Sequence, residues 1–308
     1  MFSAGFTLPS FAKINWSLRV LGRRADGYHD LRTIFQTITL HDTLSFAPAA
    51  DNRIHLECNS PDVPTDEGNL VIRAARALQQ NYRVKKGAIV SLHKRIPAMG
   101  GLGGGSSNAA VALLGFAQLW KLALSRDEFM RIGAKIGADV PFFFVGGTAL
   151  GTGLGTEVSP LQDVATRHLL IVKPRAGVST AAAYKALDGR SLTKRISDTI
   201  LFDSRENDSF TDSLPEALHN DFEPEVFRLE PEIERARDWL IKAGARKALL
   251  SGSGACVFGV FEDEAKQRWA AAQLESETEW QIFKCETLAR EEYYTALGTC
   301  GAALRSPS

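Results

Sequence analysis

Pro97-Ala98-Met99-Gly100-Gly101-Leu102-Gly103-Gly104-Gly105-Ser106-Ser107-Asn108-Ala109-Ala110 is the stretch that decides how the chain is read. Five glycines fill the six positions 100–105, two hydroxyls follow, and an apolar segment begins at once. Upstream, Ala88–His93 alternates as a strand does; downstream, 109–120 reads as a buried helix. Strand, glycine loop and helix N-terminus together converge backbone N–H groups on an anion. Glycines let a phosphate chain lie directly against that backbone. Ser106 and Ser107 are expected to cap the helix and to offer oxygens to a phosphate or to Mg²⁺. The stretch predicts a nucleotide-phosphate site; a flexible loop that binds nothing is the plain alternative.

Three better-known glycine motifs fail here. A P-loop needs Lys directly before its Ser or Thr, and Gly105 stands there. A dinucleotide fingerprint needs a third spaced glycine after Gly101 and Gly103, where Ser106 stands. A hydrolase elbow, G-x-S-x-G, fails because Asn108 replaces its last glycine.

The 308 residues suffice for one large or two medium domains. Lys and Arg number 36, as do Asp and Glu, so nothing calls for nucleic acid or an anionic membrane as partner. Cys58, Cys256, Cys285 and Cys300 are scattered without a C-x-x-C pair and read as reduced thiols. The first ten residues resemble no secretory signal, and no apolar run reaches the roughly 18 residues of a membrane helix. A cytoplasmic enzyme, monomer or homodimer, is expected.

Strands are predicted at 13–20 and 33–40, then a helix at 69–82, the glycine loop with its helix, and an amphipathic helix at 125–137. A strand at 164–177 resets the pattern. A polar, irregular stretch covers 188–215, a helix with Pro at its start and Gly244 at its end covers 231–243, and a strand, a helix and a strand follow at 255–261, 262–274 and 281–288. Residues 1–160 and 161–300 form two domains in this reading, with a disordered tail at 301–308.

Four further segments look chemical. In Ala12-Lys13-Ile14-Asn15, Lys13 and Asn15 share one strand face; a lone strand Lys is more often a solvated charge. In 23–30, Tyr28 and His29 present two rings from one turn, or simply pack it. Asp139, followed at once by an apolar run, is either a helix N-cap or a base. Leu250-Ser251-Gly252-Ser253-Gly254-Ala255 is a second glycine turn, of a common kind.

In order and spacing these segments resemble the GHMP kinases, a superfamily of small-molecule kinases with an early Lys strand, a central P-x-x-x-G-L-G-x-x-S-S loop and a late glycine turn. Within it, RRADGYH at 23–29 and GADVPFF at 137–143 are similar to the branch acting on 4-diphosphocytidyl-2-C-methyl-D-erythritol, over roughly residues 8 to 290. Asn108 stands where many relatives carry Asp.

The resemblance implies an α+β fold of two α/β domains, the N-terminal one like ribosomal protein S5 domain 2 and the C-terminal one ferredoxin-like, with both substrates in the cleft between. It implies ATP-dependent phosphorylation of the 2-hydroxyl of that cytidine-diphosphate-linked polyol in isoprenoid biosynthesis, giving ADP and the 2-phosphate. Asp139 is expected to take the hydroxyl proton, with Lys13 beside it offsetting negative charge. The loop Pro97–Ser107 and Asn69 are expected at ATP, with Mg²⁺ on Ser106 or Ser107. Asn15, Tyr28, His29, Thr180, Tyr184, Gly252, Ser253 and Gly254 are expected at the acceptor, with rings either side of its cytosine. Two rivals remain: a homoserine or mevalonate kinase, which gives no reason for the Tyr28–His29 pair, and a nucleotide sensor that has lost catalysis, which gives none for keeping both Lys13 and Asp139.

Overall fold

The longest elements among the described residues are two consecutive strands, β1 (Phe6–Arg23) and β2 (His29–Pro48), paired antiparallel over almost their whole length. The structure, a computed structural model, describes residues 5–188, 218–274 and 277–305. The predicted irregular stretch at 188–215 lies outside them except for residue 188.

Period-two alternation makes β1 the wall between two layers. Ala12, Ile14 and Trp16 point one way, into a core shared with a second sheet, where Trp16 meets Phe258 edge-on at 5.7 Å. Phe11 points the other way, into a helical core. Lys13 and Asn15 share that second face, and both are buried.

Among the described residues the first sheet has seven strands. Besides β1 and β2 it holds β3 (Ile54–Cys58), β4 (Ala88–His93), β5 (Thr148–Gly153), β6 (Glu157–Pro160) and the two-residue β8 (His219–Asn220). Each half of β2 takes a different neighbour, β5 at Leu31–Gln36 and β4 at Thr43–Pro48. Three helices cover one face: α1 (Leu70–Tyr82), α2 (Gly104–Trp120) and α3 (Arg126–Ile136). From Ala109 to Ala117 every residue of α2 is buried, as its unbroken apolar run requires. Ser125 and Glu128 close a capping box on α3.

The second sheet is antiparallel, in the order β11 (Trp280–Glu286), β7 (His168–Pro174), β10 (Val257–Phe261), β9 (Lys247–Leu250). Helices α4 (Thr180–Asp188), α5 (Glu223–Leu229), α6 (Pro231–Lys242) and α7 (Glu264–Gln273) accompany it. Most of them pack on its outer face. The chain is thus α+β with two sheets, and these share the core around Trp16, Ile38 and Phe258.

The expectation of a disordered tail at 301–308 is corrected for 301–305. Two short helices, α8 (Arg290–Ala296) and α9 (Thr299–Arg305), end the described chain, with Gly301 and Leu304 buried. They return to the first core. Tyr293 donates its hydroxyl to the Phe143 carbonyl at 2.6 Å and Tyr294 to that of Val145 at 2.8 Å. The segment is short, but a helix can bury its Leu and Cys against an existing surface.

Candidate active site

The glycine stretch crosses from β4 to α2, and the helix starts earlier than the apolar run. Its N-cap is Gly103, in the left-handed region at φ 67°, with no side-chain cap. Ser106 and Ser107 therefore lie in the first turn of α2 and do not cap it, which corrects that expectation. In such a turn the leading N–H groups have no intrahelical partner and point outward.

Ser107 also turns away from the cleft. It is fully buried, and its Oγ is 2.7 Å from Ser10 Oγ. Ser106 keeps to the cleft wall, its hydroxyl facing the Gly137 turn, where a Cβ would lie 3.8 Å away.

A polar network without a local sequence signal fixes this loop from beneath. Asp42, fully buried, accepts from the Arg95 and Ile96 N–H groups at 2.7 and 2.8 Å, from Lys94 Nζ at 2.5 Å and from Asn108 Nδ2 at 2.9 Å. Asn108 Nδ2 also donates to Ser10 Oγ at 2.8 Å. Both carboxylate oxygens are satisfied, as a buried charge requires. With Asn at 108 that position donates to Asp42; a second carboxylate there would set two charges side by side.

Asp139 lies in the turn between α3 and a 3-10 turn at Pro141–Phe144. The cap position of that turn is Val140, so the N-cap reading of Asp139 fails. Its carboxylate instead sits 3.4 Å from Lys13 Nζ. Lys13 Nζ also donates to Asn15 Oδ1 at 2.7 Å, Asn15 Nδ2 to Thr33 Oγ1 at 2.7 Å, and Thr33 Oγ1 to the Ser17 carbonyl at 2.7 Å. The Lys13 backbone N–H is bonded to the Leu102 carbonyl at 2.9 Å, which ties β1 to the glycine loop. Lys13 is therefore a buried cation aimed by hydrogen bonds, against the solvated-charge reading.

These groups open onto one cavity of about 910 Å³. Contacts give its order. Leu70 and Lys94 sit beside Gly105 and Gly104; Lys13 sits beside Gly103 and Gly252. Asp139 faces Lys13, and its charge reaches Tyr184, whose phenol is pushed up to about 12 mainly by burial. Tyr184 stacks on His29, with centroids 5.1 Å apart.

Of the residues expected at the site, the cavity wall gathers Lys13, Asn15, Tyr28, His29, Asn69, Asp139, Thr180, Tyr184, Gly252 and Ser253, with 97–106 of the loop. Asn69 caps α1 by accepting from the Val71 N–H at 2.9 Å, and Thr180 Oγ1 meets Ser253 Oγ at 3.0 Å. Two expected residues are not on the wall. Ser107 is one, and Gly254 is the other: it closes the turn through its N–H to the Ser251 carbonyl at 3.0 Å.

The ring arrangement differs from rings waiting either side of a gap. His29 occupies a face of Tyr184, Phe222 meets Tyr184 edge-on at 4.9 Å, and Tyr28 projects outward, 65 % exposed. A base between His29 and Tyr184 would need about twice an ordinary ring contact. Phe222 and Lys94 line the cavity too; neither stands in a motif, and only the fold brings them there.

Among the described residues no helix is long and apolar enough to cross a membrane. The GHMP kinases N terminal domain matches residues 69–147 and the GHMP kinases C terminal domain residues 202–278. A 4-diphosphocytidyl-2-C-methyl-D-erythritol kinase from Solibacter usitatus (strain Ellin6076) is 42% identical over 295 residues, 94% of this chain and 90% of the relative. One from Moorella thermoacetica (strain ATCC 39073 / JCM 9320) is 42% identical over 87% of this chain and 94% of its own. A crystal structure of 4-(cytidine 5'-diphospho)-2C-methyl-D-erythritol kinase superposes with a TM-score of 0.76 at 29% identity, covering 92% of this chain and 99% of the other. Homoserine kinase from Cytophaga hutchinsonii ATCC 33406 shares the fold, with a TM-score of 0.70 at 14% identity. The chain belongs to the GHMP kinases and, within them, to the 4-diphosphocytidyl-2-C-methyl-D-erythritol kinase family.

Proposed function

We propose that the protein transfers the γ-phosphoryl group of ATP to the 2-hydroxyl of 4-diphosphocytidyl-2-C-methyl-D-erythritol, giving ADP and the 2-phosphate in isoprenoid biosynthesis, as a cytoplasmic enzyme. The observation that carries this reading is the Lys13–Asp139 pair, 3.4 Å apart, placed between a glycine loop and a ring cluster in one cavity. Adenosine lies toward Asn69, Leu70 and Lys94, and the phosphates lie on the N–H groups of 103–106. Phosphoryl transfer is mostly positioning and charge stabilisation. The Asp139 carboxylate accepts the hydroxyl proton, and the Lys13 ammonium, held by Asn15, stabilises charge on the transferring group.

Among the described residues no three His, Cys, Asp or Glu gather as a metal cage. A Mg²⁺ carried by the ATP phosphates needs only one or two protein oxygens, and Ser106 on the cavity wall fits that need. Bound there, it would neutralise phosphate charge.

Cytosine enters by exchanging with the His29 imidazole on the face of Tyr184, ring for ring, and Tyr28 closes over its other face. His29 then donates to cytosine N3. Uracil carries a proton at N3 and would oppose that donor. Tyr28→Ala should raise the acceptor KM on the order of 10-fold through lost stacking, with the ATP KM unchanged. His29→Ala should bring the cytidine-over-uridine preference close to one, since a buried donor without a partner is what rejects the analogue. Steady-state kinetics with both analogues reads the two effects.

The reading as a whole is tested by coupled ADP release with the cytidyl substrate, homoserine and mevalonate. Turnover confined to the cytidyl substrate is expected. Equal use of its uridine analogue, or preference for either small alcohol, would overturn the assignment.

A further inference from the structure

The second glycine turn is held in place by a side chain from a different part of the chain. Asn220 ends β8, which pairs parallel with β1 at Ser17 and Leu18, and it is almost fully buried. Its Nδ2 donates to the Gly252 carbonyl at 2.7 Å and to the Leu250 carbonyl at 2.9 Å. Its Oδ1 accepts from the Phe222 N–H at 3.0 Å. Two carbonyls on one side and an N–H on the other fix the amide's orientation, because the flipped amide would oppose all three. Leu250 is also held at its N–H, from which the half-buried Glu223 carboxylate accepts at 2.9 Å.

Each arm of Asn220 leads to a different part of the cavity. Through its nitrogen it sets the backbone at Gly252, in the left-handed region at φ 56°. A Cβ there would lie 3.0 Å from the Gly101 carbonyl oxygen and 3.3 Å from Lys13 Nζ, so the turn packs directly on the ammonium. Through its oxygen it sets the start of the segment that carries Phe222, which supports Tyr184 and through it His29. Asn supplies two donors and one acceptor at this spacing, and the three partners use all of them.

We propose that Asn220 is a positioning residue that holds the Gly252 turn against Lys13 and the Phe222–Tyr184 rings against the acceptor base, joining the transfer site to the nucleoside site through one amide. This rests on the proposed function for its acceptor arm and on the Lys13–Asp139 pair for the other. The glycine loop has its own ties to the turn, from the Ala255 and Cys256 N–H groups to the Met99 and Gly100 carbonyls at 3.2 and 3.1 Å, so ATP binding stands apart from Asn220.

Two variants separate the arms. Asn220→Asp keeps the acceptor for Phe222 and sets an oxygen against both turn carbonyls; Asn220→Ala loses everything. In steady-state kinetics on protein shown folded by scanning calorimetry, both should lower kcat roughly 10- to 100-fold, the cost of displacing a catalytic group by a fraction of an ångström to an ångström. Only Asn220→Ala should also raise the acceptor KM, by about 3- to 10-fold, the worth of one lost hydrogen bond. The ATP KM should stay within about threefold in both, because no bond from Asn220 reaches the glycine loop.

Should Asn220→Asp fail to fold, Asn220→Ser, which keeps one donor, should give a kcat between wild type and Asn220→Ala. Folded variants that lose thermal stability alone, with wild-type kcat and KM, would overturn the proposal, as would equal acceptor KM values for Asn220→Asp and Asn220→Ala. A wild-type enzyme that ignored the cytidyl substrate but phosphorylated another alcohol would instead overturn the substrate reading, and the kcat arm would then be read on that alcohol.

Discussion

Asp139→Asn is expected to lower kcat by about 10²–10⁴-fold, the ordinary worth of a general base. Its KM for ATP should stay close to that of the wild type. The carboxylate lies 3.4 Å from the Lys13 ammonium, and its side chain is about one-third exposed to the cavity. An amide keeps the size and a hydrogen bond to Lys13 but cannot take the hydroxyl proton. The turn that carries it should not move. Its backbone is held by the Val140 N–H on the Gly137 carbonyl at 3.1 Å, and the apolar run behind it by Tyr293 and Tyr294. Rapid-quench measurement of a single turnover separates chemistry from product release. Near wild-type turnover in that measurement would remove Asp139 from the mechanism.

Gly103→Val is expected to reduce kcat/KM for ATP by on the order of 10²-fold, through two faults that act together. Position 103 has φ 67°, which a β-branched residue adopts only under strain of about 1–3 kcal/mol. A Cβ there would also lie 2.9 Å from Lys13 Cγ and 3.1 Å from the Phe143 ring, so the cation itself is pushed from its place. The position is the N-cap of α2, and moving it redirects the N–H groups that the proposed function assigns to the phosphates. Gly105→Ala is the matched control. A Cβ at 105 meets only Leu70, at 3.7 Å, and its φ is ordinary, so nucleotide affinity measured by calorimetry should change little. Equal affinities for wild type and Gly103→Val, on folded protein, would contradict the phosphate cradle.

The local signals in the chain were strong where geometry is local. Ala88–His93 is a strand and 109–120 lies inside a helix, because alternation and an unbroken apolar run each permit one buried conformation. Ser125 to Gly137 reads correctly as an amphipathic helix, since the apolar period is local; the structure adds the capping box at Ser125 and Glu128. Strands β3, β5, β6, β8 and β9 have no counterpart in the sequence reading. They are short and gain their stability from pairing, β3 with β4, β5 with β2, β6 with β5, β8 with β1 and β9 with β10. The last helix reads as disorder for the same reason, its partner surface being α2, where the Thr299 hydroxyl donates to Gln118 Oε1 at 2.8 Å across 181 positions.

By itself the sequence determined the kind of chemistry. Five glycines before a helix can serve an anion, a Lys on a strand face and an isolated acid before an apolar run can serve proton transfer, and these residue types carry their meaning wherever they stand. What the tertiary structure decided is which of two geometries each candidate adopts and what holds it. It turned Ser106 toward the cleft and Ser107 into the Ser10 contact, took Asp139 from a cap to a partner of Lys13, and set His29 on Tyr184. It also brought Asp42 to Lys94 and Asn220 to Gly252, across 52 and 32 positions. Hydrogen bonds between distant residues leave no period or spacing in a chain, because their geometry exists only after the sheets and helices have packed.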